Sequence, residues 1–335
     1  MGLDLTFIWF LIIIFGTGMY IIMDGFDLGI GILLPFAHNR QQKDMMVNTV
    51  APVWDGNETW LVLGGAALFG AFPLAYAVIL EALMMPLSLM LIALIFRGVA
   101  FEFRFKANPN HQALWDKAFV TGSMMATFCQ GMVVGALVQG ISVTNRQYTG
   151  GMFDWFSIFT LLCGMGLLAA YALLGATWLL LKTDGVLRQL AQKWSRYLVM
   201  VLLIMMLCIS IYTPLLNDTI AQRWFGQPQF WMFMPVPILC VLTAVVLIQS
   251  IKKQRDVLPF LCTLGLIFLG YSGLGISVWP HIIPPSIDIW QASSGLASQG
   301  FMALGTLLIL PIVLAYTAWS YYVFRGKVKE SGYEH

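Results

Sequence analysis

The side chains able to do acid–base chemistry in this chain of 335 residues are few, and they gather in three short segments. Asp24 and Asp27 lie in Asp24-Gly-Phe-Asp-Leu-Gly-Ile-Gly31, and Asp55 and Glu58 in Ala51-Pro-Val-Trp-Asp-Gly-Asn-Glu-Thr-Trp60. Arg97, Glu102 and Arg104 lie in Arg97-Gly-Val-Ala-Phe-Glu-Phe-Arg104. All stand in or beside long apolar runs, where charge is costly and therefore marks a functional candidate. The chemistry open to such a set is proton transfer. The i, i+3 spacing puts Asp24 and Asp27 on one helix face, and two acids one turn apart require a nearby cation or a shared proton. Arg97 is the natural counter-ion, since its charge cannot be removed by deprotonation. A purely structural pairing with Arg97 or Arg40 remains the alternative. Asp55 and Glu58 match a helix capping box, with Asp55 accepting from the backbone N–H of Glu58, a role compatible with collecting protons. Glu102 lies one to two turns beyond Arg97, where the plain alternative is a snorkelling helix end. Glu81 stands apart and reads equally as a partner contact, an exit-side proton site or an idle interfacial carboxylate.

Other chemistries find little support. None of His38, His111, His281 and His335 falls inside an expected span, and membrane haems generally take axial histidine, so this chain is a poor haem-binder by itself. Cys129, Cys163, Cys208, Cys240 and Cys262 sit in apolar runs without Cys-x-x-Cys spacing and read as small hydrophobes, not as a metal or disulfide framework. No phosphate loop, dinucleotide fingerprint, zinc spacing or catalytic triad is visible.

The elements that must position the acids follow from composition. The chain is 59% hydrophobic and 10% charged, against roughly 25% charged in a soluble domain. A net charge of +2 without a basic patch excludes a nucleic-acid partner. Repeated apolar runs of membrane-spanning length predict an all-α polytopic membrane protein of about nine helices: 6–34, 55–77, 78–101, 117–141, 153–181, 196–219, 231–251, 257–279 and 291–324. A break at Phe72-Pro73 and the charge-free stretch after it separate the second span from the third. Asp24 then lies about 27 Å along the first helix at 1.5 Å per residue. With the N-terminus outside, sixteen of the eighteen Lys and Arg residues fall on the cytoplasmic side, leaving Arg146 and Arg223 outside. The acids therefore sit near the inner face. Gly140-Ile-Ser-Val143 and Gly275-Ile-Ser-Val278 form a weak echo, as does a Gly-x-Gly-x-Leu pair at Gly29 and Gly164. They point to two four-helix units, 1–141 and 153–279, followed by a ninth helix at 291–324 and a cytoplasmic tail at 325–335.

On the three acidic segments, together with Gly65-Ala-Ala-Leu-Phe-Gly-Ala-Phe-Pro73 and Pro311-Ile-Val-Leu-Ala-Tyr-Thr-Ala-Trp319, the chain resembles subunit II of the cytochrome bd-type quinol oxidases. The Pro284–Ser286 to Ala292–Ser294 region also resembles that family, whereas residues 150–270 match only in helical character. The resemblance implies two four-helix bundles with an extra helix in the bacterial inner membrane, partnered by subunit I. That subunit would carry the b-type and d-type haems and the quinol-oxidising loop. A small accessory subunit, membrane lipid or a structural quinone would be further partners. On this resemblance Asp55 occupies the family's proton-inlet aspartate, Glu102 stands where some relatives carry Asp, and Asp24 and Asp27 match the paired aspartates of the first helix. Glu81 has no matching role. The compact connections resemble members that include the cyanide-insensitive oxidases.

The leading expectation is thus a non-haem subunit of a quinol oxidase, in which Asp55, Glu102, Asp24 and Asp27 relay protons, Arg97 sets the local potential, and Glu58 serves as cap or inlet. A proton- or cation-coupled secondary transporter is the rival, although its acids should lie near the midplane. A subunit whose acids only lock helices together is a third reading.

Overall fold

The computed structural model describes residues 4–328, the side chains at positions 109 and 110 excepted. Lys329, His335 and the remainder of the expected tail lie outside the described residues.

Helices and two small hairpins make up the ordered elements, as the composition requires. In chain order they are α1 (Leu5–Leu33), α2 (Arg40–Asn48), α3 (Trp54–Ala71), α4 (Pro73–Ala82), α5 (Met84–Arg104) and α6 (Pro109–Gln139). The hairpin β1 (Val143–Thr144) and β2 (Gln147–Tyr148) precedes α7 (Ile158–Lys182), α8 (Gly185–Leu216), α9 (Asp218–Phe225), α10 (Gln229–Phe233), α11 (Pro235–Lys252) and α12 (Val257–Val278). A second hairpin, β3 (His281–Ile283) and β4 (Ile287–Asp288), leads to α13 (Ile289–Ala292) and α14 (Leu296–Val323). Among the described residues eight helices are long and apolar enough to cross a bilayer. A ninth crossing would be the α3/α4 pair, which bends by 119°.

That bend corrects the expected second and third spans. Pro73 cannot donate to the preceding turn, so α3 stops at Ala71 and Pro73 opens α4 as its first residue. The third long helix therefore starts at Met84 instead of 78. Other helices begin elsewhere than hydropathy alone placed them. α6 starts at Pro109 and α8 at Gly185, because helical hydrogen bonding continues through charged first turns that extend past the apolar stretch. α7 starts at Ile158, behind a capping box in which Ser157 and Thr160 each satisfy the other's backbone N–H. α14 starts at Leu296, since residues before it form the separate turn α13.

Helix α7 is the axle of the molecule, packed against α1, α6, α8 and α12. Its crossing with α1 is close: a Cβ on Gly29 would fall 2.0 Å from the Tyr171 carbonyl oxygen, and one on Gly175 would fall 2.6 Å from the Gly29 carbonyl carbon. Small residues permit this approach where lipid offers no hydrophobic drive. Gly164 packs instead against Gly131 and Phe128 of α6, so the Gly29/Gly164 echo marks two different crossings. The other echo diverges too. Gly140 ends α6 with φ +104, whereas Gly275 is an ordinary helical residue of α12. A two-stranded hairpin nevertheless follows both helices, and the two meet where the Ile141 N–H donates to the Pro284 carbonyl, 2.9 Å. That end is rich in tryptophan, with Trp279 packed against Phe7, Phe10 and Trp290. The opposite end carries the basic residues.

Candidate functional site

The final turns of α1 form an unbroken buried stretch from Asp24 to Leu33, held between α3, α6 and α7. Asp24 and Asp27 are both wholly buried. The Arg97 guanidinium, likewise inaccessible, donates through Nη1 to Asp24 Oδ1 at 2.5 Å and through Nη2 to Glu58 Oε2 at 3.1 Å. Its charge-diffuse flat face lies 5.8 Å from the ring centre of Trp54 and 6.0 Å from that of Phe101, two rings stacked on one another. One helical turn along α1, Asp27 Oδ2 accepts from Asn57 Nδ2 at 2.8 Å, and the Tyr321 hydroxyl donates to Asn57 Oδ1 at 2.8 Å. Four helices, α1, α3, α5 and α14, thus each supply at least one polar group to a single cluster.

The i, i+3 reading of Asp24 and Asp27 and the choice of Arg97 as counter-ion agree with this geometry; Arg40 instead lies 4.0 Å from Asp44. The capping box is overturned. α3 begins at Trp54 with Val53 as its cap and no side-chain cap bond, so Asp55 sits inside the first turn. There its charge faces the helix dipole favourably without capping. Glu58 is correspondingly no cap but the second carboxylate on Arg97, and with a side chain 24% exposed it joins the buried cluster to the surface. Asp55 itself is exposed. Glu102 is not brought to the cluster: its side chain projects outward and its cation is Lys106, 3.4 Å away. Glu81 is exposed on α4, within electrostatic reach of Tyr148 at the tryptophan end.

Sequence reasoning missed several polar members. Asn57 and Tyr321 were legible as residue types, yet nothing in spacing joins positions 264 apart. Tyr20, one turn before Asp24 on α1, is buried, and its hydroxyl accepts from Gln130 Nε2 at 2.6 Å. Along α6, Ser123 and Thr127 bury hydroxyls without a protein partner, as do Asp24 Oδ2, Asp27 Oδ1, Arg97 Nε and the Tyr171 hydroxyl. A separate ionic lock closes the basic end. Arg104 donates through Nε to Asp116 and is ion-paired with Asp44, at 2.7 Å each, and Lys43 lies 3.2 Å from Asp116. Arg104 is thus a buried tie between α2, α5 and α6, a role that its place in a positive-inside helix end did not reveal.

His38 and His111 are exposed, before α2 and in the first turn of α6, and His281 lies in β3. Cys129, Cys163 and Cys262 are buried free thiols, Cys240 is partly buried and Cys208 exposed. No group of three or more His, Cys, Asp or Glu with metal-holding geometry occurs among the described residues.

A helical membrane protein with a buried, hydrogen-bonded set of acids at one end defines the class. The chain matches the family described as cytochrome bd terminal oxidase subunit II over residues 5–324 and belongs to it. It is 30% identical to a probable cytochrome oxidase subunit 2 of Haemophilus influenzae, over 97% of this chain and 95% of that protein. It is 29% identical to the cytochrome bd ubiquinol oxidase subunit 2 of Bacillus subtilis, over 96% of each. To the cytochrome bd-I ubiquinol oxidase subunit 2 of Escherichia coli it is 27% identical, over 98% of this chain and 97% of that one. The solved bd oxidase of Geobacillus thermodenitrificans shares the fold, with TM-score 0.77 over 96% of this chain and 97% of that one at 17% identity. The protein is therefore subunit II of a bd-type oxidase, an oxidoreductase complex formed with a subunit I, and a multi-pass protein of the bacterial inner membrane.

Proposed function

We propose that this chain carries protons from the cytoplasm towards the oxygen-reducing centre of a quinol oxidase whose haems belong to subunit I. The oxidase relatives named above act on ubiquinol, and four protons are consumed for each O2 reduced to water. The observation that carries the reading is the Asp24–Arg97–Glu58 and Asp27–Asn57–Tyr321 cluster, wholly buried at its centre yet open to the surface through Glu58. Three carboxylates face one buried guanidinium, an excess of negative charge that favours holding a proton on the set. In the proposed order Glu102 and Asp55 gather protons at the exposed rim, Glu58 passes them inward, and Asp24 and Asp27 hold them beside Arg97. The unpartnered hydroxyls of Ser123, Thr127 and Tyr171 and the Tyr20–Gln130 pair supply the polar lining along which ordered water can continue the path.

The haems supply the electron transfer and oxygen chemistry when bound in the partner. The described histidines, His38 just before α2, His111 in the first turn of α6 and His281 in β3, support placing them there. The basic end of the bundle supports the orientation with cytoplasmic loops at Arg40–Lys43, Arg104–Lys117, Lys182–Arg196 and Lys252–Arg255. The two four-helix units, 1–141 and 153–279, joined through the α1–α7 crossing with α14 as the extra helix, form the scaffold in this reading.

The test is turnover of the purified two-subunit oxidase. Glu58→Gln and Asp55→Asn should each slow quinol-driven oxygen consumption, Glu58→Gln by roughly a hundredfold, the lower range for a lost proton-transfer group. Haem absorption should be unchanged. Unaltered turnover in both variants would remove the relay role. Loss of assembly without an effect on turnover per haem would favour the structural reading.

A further inference from the structure

The basic end is electrically uneven. In the first half of the chain most cations at this end meet acids: Arg97 with Asp24 and Glu58, Arg104 with Asp44 and Asp116, Lys43 with Asp116, Lys106 with Glu102. In the second half, Asp184 and Asp256 are taken by Lys327 and Arg188. Arg196 and Lys252, like Lys193, Lys253 and Arg255, have no carboxylate partner among the described residues.

These two cations share a groove between α8 and α11. It has a volume of about 390 Å³ and is lined by Arg196, Val199, Met200, Ile248, Ile251 and Lys252. That size falls within the range of small-ligand clefts, about 300–1,000 Å³. The Gln192 side chain donates to the Ile251 carbonyl at 3.0 Å, fixing α8 against α11 beneath it. Both cations stand at the edges of their apolar runs: Tyr197 to Ile211 follows Arg196, and Pro235 to Leu247 leads towards Lys252. One wall is therefore hydrocarbon-like while the rim is cationic at headgroup depth.

We propose that this groove binds one anionic phospholipid, its phosphate between Arg196 and Lys252 and an acyl chain along Val199, Met200 and Ile248. Basic pockets between helices at the basic face of a membrane protein have this chemistry. An acidic peptide would not use the apolar wall, and a zwitterionic lipid would bring its own cation against the two present.

The test is native mass spectrometry of the detergent-purified oxidase complex titrated with dioleoyl phosphatidylglycerol or dioleoyl phosphatidylcholine. The complex should retain the anionic phosphatidylglycerol selectively. Arg196→Gln with Lys252→Gln should weaken that binding roughly thirtyfold, about the worth of two headgroup-level cations. Met200→Trp, which fills the groove without altering charge, should weaken it comparably and serves if the double variant fails to assemble. A control pair, Lys193→Gln with Lys253→Gln, should retain most of the affinity. Equal binding of both lipids, equal loss in the control pair, or full competition by inorganic phosphate at matched concentration would each overturn the assignment.

Discussion

At the scale of single residues, the decisive feature is a guanidinium with two carboxylates on it and a third one turn away. Removing one partner of a buried ion pair typically costs 3–5 kcal/mol, because the other charge stays buried and unpaired. Arg97→Gln should therefore destabilise the protein by roughly 3–5 kcal/mol, seen as a lower thermal midpoint and poor yield of the assembled oxidase. Asp24→Asn combined with Arg97→Gln should recover part of that loss, and a double variant no better than Arg97→Gln alone would deny the coupling. The acids, their spacing and their cation were readable from residue types. Glu58's attachment to Arg97 was not, because a capping motif and an ion-pair partner look alike until the helix start is known.

At the scale of helices, the site depends on how near α1 can come to α7. A methyl group on Gly29 would meet the Tyr171 carbonyl at 2.0 Å, a backbone atom that cannot swing aside. Gly29→Ala should consequently push α1 away from α7, shift Asp27 from Asn57, and cost more than the ordinary benefit of alanine in a helix. The measurable result is a lower thermal midpoint together with reduced turnover. Gly65→Ala, inside α3 with nothing within 4 Å of the added carbon among the described residues, should keep that benefit and raise the thermal midpoint slightly. The sequence marked the break at Phe72-Pro73 but neither its 119° bend nor the restart of the next long helix at Met84, since a proline at a helix start and a proline within a continuous span give the same apolar average. Pro214 and Pro311 indeed lie inside α8 and α14.

For the whole molecule, the chain's end ties the second half together. Lys327 reaches Asp184 at 2.6 Å and Asp256 at 3.3 Å, Lys182 donates to the Phe324 and Gly326 carbonyls, and the Val328 N–H donates to the Lys182 carbonyl. Burial pushes the Asp256 carboxyl upward, but bonds and charge from Arg188 and Lys327 outweigh it and hold the group below the ordinary carboxylate range. The Asp184 hydrogen bond, with further help from Asp256, raises the Lys327 ammonium above its usual value. The contribution of a lowered acid is present above its unfolded value and fades as pH falls through the folded one; that of a raised lysine is present below its unfolded value and fades as pH climbs through the folded one. Protease protection of the tail should thus be flat through neutrality and weaken at both extremes. Lys327→Gln should abolish the alkaline dependence and shrink the acid one, which Arg188 still sustains through Asp256, and a mutant profile matching the parent would refute the latch.

The sequence by itself determined an all-helical membrane protein, its family, and the acids near the basic end, because hydropathy, charge placement and i, i+3 spacing are local properties. Only the tertiary structure decided that Asn57 meets Tyr321 across 264 positions, that Glu58 binds Arg97, that Glu102 faces away, and that Arg196 and Lys252 have no carboxylate partner among the described residues. Those relations arise from how helices cross and rotate against one another. Crossing is set by close packing at small residues such as Gly29 and Gly175, far along the chain from the charges they bring together.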